Sequence, residues 1–378
     1  MDLPGLTRCL KVGLFRFVLE PCQPLMVPAY SKGNMLRGGF GHAFRRLCCI
    51  PQCRDTHSCP LTATCPYKAV FEPAPPPGAD RLSKNQDVPR PFVFRPPRDE
   101  RTRYEPGSVF EFDLVLLGRA LDYLPYFVLA FRELGTEGLG LNRARCLLQS
   151  VHSLMWTLGS HTWQPGRRVF ASEDQLFRSA ELLETKQWLE DRLGEWADPA
   201  KNGKPHMAVL AQEPNQGRGP AAADSGTDLS GGRQPGNPDL LTAGTSNHGN
   251  LQLRFLTPVL LKSEGAVVRR PEFHPLFKRL RDRLNALCTF FGEGPLEADF
   301  QGLGRRAEQV RLVSARIEWE ERERRSSKTG QRHPLSGFVG QATYEGEFTE
   351  FLPWLALGEL THVGKHTAWG NGQIGVGS

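Results

Sequence analysis

No stretch of this 378-residue chain is apolar enough, for long enough, to cross a bilayer as a helix, which takes about 20 such residues. The longest apolar cluster, Leu124 to Phe131, is short and contains Pro125. A secretory signal is missing too: MDLPGLTRCLKVGLFRF has no extended apolar core. These absences predict a cytoplasmic protein with reduced thiols and no membrane partner. The sequence has no G-x-S-x-G, H-E-x-x-H or kinase signature, and neither a Walker A nor a Rossmann fingerprint. The familiar hydrolase, zincin and nucleotide-cofactor routes are therefore unsupported. Lysine is scarce, at 11 residues against 36 arginines.

That arginine bias accompanies a net charge of +6 and a pI near 8.9. A guanidinium fork matches phosphate and stacks on bases, so the bias leans toward nucleic acid. A GC-rich genome would produce the same bias. Hydrophobic residues make up 39% of the chain, enough for a sizeable core and too many for a wholly disordered or fibrous protein. The length suggests two domains.

Residues 8–19 alternate well enough for a first strand. Leu36, Phe40, Ala43, Phe44 and Leu47 then fall at helical offsets. Pro and charge crowd residues 73–106, which reads as extended loop outside the core. SVFEFDLVLL (108–117) reads as a strand, 121–134 as a helix and 145–151 as a strand. One strand is left unplaced in this β-α-β-α-β rhythm. Residues 211–250 are rich in Gly, Pro, Ser and Asp and read as linker or insertion. LQLRFLTPVLL then alternates as a strand. Phe273, Leu276, Phe277, Leu280, Leu284, Leu287, Cys288 and Phe291 form the clearest amphipathic helix. Strands around Val313–Trp319 and in GFVGQATYEGEF, a short helix in EFLPWLALGEL and a Gly-rich tail follow. Both halves have the order of a ferredoxin-like fold. The expected class is α+β, two such domains in tandem, with a Cys-rich insertion in the first.

Four segments carry candidate chemistry. The tail HVGKHTAWGNGQIGVG (362–377) sets Lys365, His366 and Trp369 among glycines. Exposed amides and a cation can cradle phosphate and an indole can stack a base; a tight turn before a last strand has the same composition. In RGGFGHAFRR (37–46), the helical period turns His42 away from the apolar face, with Arg45 and Arg46 one turn on. This suits an acid or base beside a phosphate, or simply a solvated histidine. Cys49, Cys53, Cys59 and Cys65 lie within seventeen residues, with Cys48 and His57 as spare ligands. Four thiolates suit a structural Zn²⁺ or an Fe–S cluster. Cys9, Cys22, Cys146 and Cys288 read as buried thiols. RRSSKTGQRH (324–333) either grips phosphates or is a solvated charged hairpin.

Taken in order, MLRGGFGHAFRRL, CPLTATCPY, EGLGLNRARCLL, LQLRFLTP, RRSSKTGQ, LSGFVGQATYEG and THVGKHTAWGNGQIGVG resemble CRISPR-associated endoribonucleases that process precursor crRNA. These are RAMP-superfamily proteins with tandem ferredoxin-like domains. The resemblance covers all but 74–106 and 211–250. The composition of 211–250 sets the domains at 1–210 and 251–378, and the resemblance implies metal-independent cleavage of CRISPR repeat RNA. A 2′-OH would attack the adjacent phosphate, leaving a 2′,3′-cyclic phosphate and a 5′-OH. His42 takes the place of the family's imidazole, with Lys32, Tyr30 and Arg46 supplying charge or protons. Arg37, Arg45, Arg325, Lys328, Gly364, Lys365, His366, Trp369, Gly370 and Gly372 are the implied RNA contacts. His362, beside Lys365, is a second candidate imidazole. No cofactor is implied for catalysis, so the cysteines take a structural role. RNA is the implied partner, together with proteins of CRISPR effector complexes. A non-catalytic crRNA-binding subunit of such a complex is the alternative, and a metal-cluster redox protein a more distant one.

Overall fold

The computed structural model describes residues 3–56, 58–74, 88–158, 160–197, 248–325 and 332–377. The first half contains α1 (Leu3–Cys9), β1 (Val12–Pro21), β2 (Leu25–Met26), α2 (Lys32–Cys48) and α3 (Pro66–Val70). It continues through β3 (Phe92–Arg95), β4 (Arg103–Tyr104), β5 (Phe110–Leu117) and α4 (Leu124–Glu137). It closes with β6 (Cys146–Thr157), β7 (Thr162–Ala171) and α5 (Thr185–Ala197). The second half begins with β8 (His248–Val259), β9 (Leu261–Ser263), β10 (Ala266–Val268), α6 (Phe273–Phe291) and α7 (Phe300–Gln309). After these come β11 (Arg311–Glu320), β12 (Glu323–Arg325), β13 (Arg332–Pro334), β14 (Gly337–Glu347), α8 (Leu352–Thr361) and β15 (Ile374–Gly377).

The first sheet runs β3-β5-β1-β6-β7 and the second β11-β14-β8-β15, with every neighbouring pair antiparallel. Each contains the strand order of a ferredoxin-like domain; the first adds β7 at one edge. The mixed class and the tandem arrangement agree with the sequence reading.

Three expectations need correction. Residues 73–106 are not all loop. β3 lies within them, is buried at all four positions and supplies the strand the sequence left unplaced. Phe92 and Phe94 join the aromatic core under α2 and α4, while Val93 joins the other core. With both faces buried, β3 shows no alternation, and flanking prolines disguise it further. β11 forms where the alternating Val313, Ala315, Ile317 and Trp319 predict a strand, but Ile317 and Trp319 pack against the core while Val313 and Ala315 are exposed. Among the dispersed thiols, Cys22 is exposed and Cys9 half-buried; Cys146 and Cys288 are buried as expected.

α2 is positioned by rings. Phe40 stacks on Phe127 of α4 at 4.3 Å and on Phe44 at 4.9 Å. Burying such side chains contributes about 1.5–3 kcal/mol each. Because 36, 40, 43 and 44 point inward, positions 38, 42 and 45 must point outward.

The two halves share one apolar core, which holds Val12, Val93 and Val115 together with Leu253, Phe255 and Val376, and charged groups lie beside it. Arg95 on β3 donates from Nε to His362 Nε2 at 3.2 Å and from Nη2 to the carbonyls of Glu359 and Leu360. Arg283 on α6 donates from Nε to Thr361 O at 3.0 Å. Two cations thus satisfy the orphan carbonyls at the C-terminus of α8 and oppose its negative dipole end. Arg192 on α5 completes the seam, reaching both Glu359 carboxylate oxygens at 2.9 Å.

Candidate RNA-processing site

His42 is exposed on α2, as its helical phase requires. One turn before it, Gly38 has open space where a Cβ would stand. Flat, unobstructed helix surface therefore adjoins the imidazole. One turn after it, Arg45 donates to Arg54 O at 3.2 Å, and Arg46 forms an ion pair with Glu137 at the end of α4.

Tyr30 and Lys32 stand apart from His42. Lys32 lies ten residues earlier on the helix, about 15 Å along its axis. It is buried, with Nζ 2.6 Å from Asp99 Oδ1 and 2.5 Å from Asp99 O. Tyr30 is exposed; its carbonyl accepts from Arg322 Nη1 at 2.6 Å, and the Arg322 guanidinium lies 5.4 Å from its ring centre. The structure thus brings Tyr30 to the second domain rather than to the imidazole.

The Gly-rich tail docks on the first turns of α2. Trp369 lies under the Arg37 guanidinium, 5.1 Å from its ring centre, and that guanidinium also covers Phe71 at 4.3 Å. His366 stacks on Trp369 at 4.5 Å with 15° between the planes. The contact is close because position 33 is glycine: a Cβ there would stand 1.9 Å from Trp369 O. Gly364, Gly370 and Gly372 all have positive φ, which fits the tight-turn reading. The amides do not form an open cradle. Val363 N–H bonds Gly372 O, Lys365 N–H bonds Leu260 O and Gly372 N–H bonds Pro258 O. Lys365 alone in this tail reaches well into solvent; His366 is half-buried.

His362 does not suit the role of a second imidazole. It is fully buried, receives Arg95 at Nε2 and meets Asn371 O through Nδ1 at 3.0 Å. Burial, reinforced by Arg95, Arg283 and Arg98, holds it well below its ordinary pKa. It is a neutral connector. The side chain of Arg325, and Lys328 and His57 entirely, lie outside the described residues.

A groove of about 830 Å³ runs between the domains, with Arg16, Arg98, Trp163, Arg254 and Gln341 in its walls. Sequence reasoning missed it, because its walls come from strands far apart in the chain. His161, whose sequence context is ordinary, also lines it: it is buried, left-handed at φ 51, and 3.0 Å from Asp191 Oδ2. Among the described residues, no three His, Cys, Asp or Glu side chains are placed, as they stand, to hold a metal ion. Nor is any described helix long and apolar enough to cross a membrane.

Two ferredoxin-like domains, with a Gly-rich loop of the second docked on the first, define the architecture. Residues 253–374 match the family described as CRISPR-associated endoribonuclease Cas6. Residues 10–182 match a family described only as an N-terminal domain. No curated protein matches the sequence. Among solved structures, the chain aligns over 97% of its length with part of a Cas6-RT-Cas1–Cas2 complex. The TM-score there is 0.51 at 12% identity, over 46% of that chain. Thermus thermophilus Cas6 aligns over 97% of this chain and 98% of its own, at 13% identity and a TM-score of 0.43. A Cas6 product complex gives 17% identity and 0.45, over 97% and 100% of the two chains.

Proposed function

We propose that this protein is a cytoplasmic endoribonuclease that cuts CRISPR repeat RNA without a metal. His42 takes the proton from a ribose 2′-OH. The freed oxygen attacks the adjacent phosphorus, the 5′-oxygen leaves and takes up a proton, and a 2′,3′-cyclic phosphate and a 5′-OH result. Such proton transfers by a positioned imidazole contribute about 10²–10⁴-fold. Arg45 and Arg46, next to His42 on α2, oppose the charge of the pentacoordinate phosphorus once RNA phosphate replaces Glu137 as the partner of Arg46. The interdomain groove, with its guanidinium groups and Trp163, suits the rest of the repeat strand.

One observation carries this reading. His42 stands exposed beside the bare surface of Gly38, on the helix whose first turns are covered by the Gly-rich loop. The test is labelled repeat RNA incubated in EDTA with wild type and with His42→Ala. Cleavage at one site that is lost in the variant supports the reading. Cleavage that survives in the variant moves the imidazole to His366. Tight binding with no cleavage by wild type means a crRNA-binding subunit of an effector complex instead.

A further inference from the structure

The described residues between α2 and α3 form neither helix nor strand, only turns such as Cys53 N–H to Ile50 O and Thr62 N–H to Cys59 O. Yet Cys59 and Cys65 within it are buried. A cavity of about 50 Å³ lies among Cys48, Cys49, Cys53, Cys59 and Cys65. Among the described residues, no carboxylate and no imidazole lines it; its other walls are Ile50, Leu61, Thr64 and Pro66. Asp55, the nearest acid in sequence, is committed to Ser58, at 2.8 Å from its amide and 2.5 Å from its hydroxyl. All five thiols are free of disulfides.

We propose that this cavity binds one Zn²⁺ ion through Cys49, Cys53, Cys59 and Cys65. The donor set decides the class of ion. Sulfur without oxygen suits a thiophilic metal and excludes Ca²⁺ and Mg²⁺, which need oxygen ligands. A cavity of about 50 Å³ has room for a single ion. Cys49 is the fourth ligand rather than Cys48. Cys49 interacts with Cys53, Cys59 and Cys65, whereas Cys48 is the last residue of α2 and is held by that helix. The thiols line one cavity but do not hold an ion as they stand, so binding requires their side chains to turn inward.

The site has a structural consequence. Cys65 is the N-cap of α3, and α3 delivers Phe71 to Arg37. The ion therefore braces the stack of Phe71, Arg37, Trp369 and His366, on a flank of α2 separate from His42.

The full chain, purified under reducing conditions, loaded with Zn²⁺ and freed of excess by gel filtration, is measured by elemental analysis. One zinc per chain is expected in wild type and in Cys48→Ser, falling to less than a tenth in Cys53→Ser and Cys59→Ser. Cobalt in place of zinc should give the intense absorption of tetrahedral thiolate ligation, a readout that does not depend on the variants folding. Wild type that retains no metal, Cys53→Ser that retains as much as wild type, or Cys48→Ser that loses it would each overturn the proposal. So would iron and acid-labile sulfide in protein purified without oxygen.

Discussion

Arg95 Nε lies 3.2 Å from His362 Nε2, joining a strand of the first domain to the end of a helix in the second. The bond needs an unprotonated nitrogen on the imidazole. Burial pushes Arg95 down to about 10, still charged near neutrality, and keeps His362 neutral.

The sign of the pH dependence follows. The folded pKa of His362 is depressed, so the unfolded chain binds the proton first. Stability is complete above the unfolded value of about 6.5 and is lost as pH falls from there toward the folded value. The slope is about 1.4 kcal/mol per pH unit for this one group. Thermal unfolding from pH 7.5 to 5 should show it, and His362→Gln should flatten the profile below pH 6.5. An unchanged slope in the variant would assign the acid loss elsewhere.

Two glycines on α2 should respond with opposite sign. Gly33→Ala sets a methyl against Trp369 O, a backbone atom. Unfolding by urea should show a loss of about 1–3 kcal/mol. Gly38→Ala meets open space and should gain about 0.5–1 kcal/mol. Gly38→Leu keeps the fold and fills the ground beside His42, so RNA cleavage should drop while Tm holds.

Arg37→Lys tests the stack on Trp369. A lysine keeps the charge and loses the flat guanidinium that spans Phe71 and Trp369. A loss of about 0.5–2 kcal/mol is expected, measured by denaturation. Equal stability of Arg37→Lys and wild type would reduce the contact to charge alone.

Phe40→Ala removes the ring at the centre of the first core and should cost about 3–5 kcal/mol. RNA cleavage should fail together with the cooperative unfolding transition. His42→Ala should lose cleavage with the transition intact, and calorimetry of both variants separates the two cases.

Much of the fold was legible. α6 announces itself because every third or fourth residue from Phe273 is apolar and buried. The exposure of His42 follows from the phase set by Phe40 and Phe44, although Leu47, expected on the same face, is exposed. β3 was hidden by prolines and by burial on both faces. β7 was hidden by Pro165 and by a largely exposed run before Val169. His362 read as a loop residue because its burial depends on Arg95, 267 positions away. The spent amides of the Gly-rich tail were invisible for the same reason: their acceptors at Pro258 and Leu260 lie about a hundred residues upstream. Local pattern records which face a residue takes within its own element. It does not record which distant atom fills the space in front of it.

The absent side chain at position 33 bears on how such proteins can be recombined. The second domain ends in a loop moulded to a notch, and the notch belongs to the first. A chimera that joins this first domain to a relative's second would bring together a groove and a tongue shaped by separate histories. Residue 33 and the length of the segment around Trp369 should be inherited as one unit, and exchange of either half alone should yield two sound domains that fit together badly.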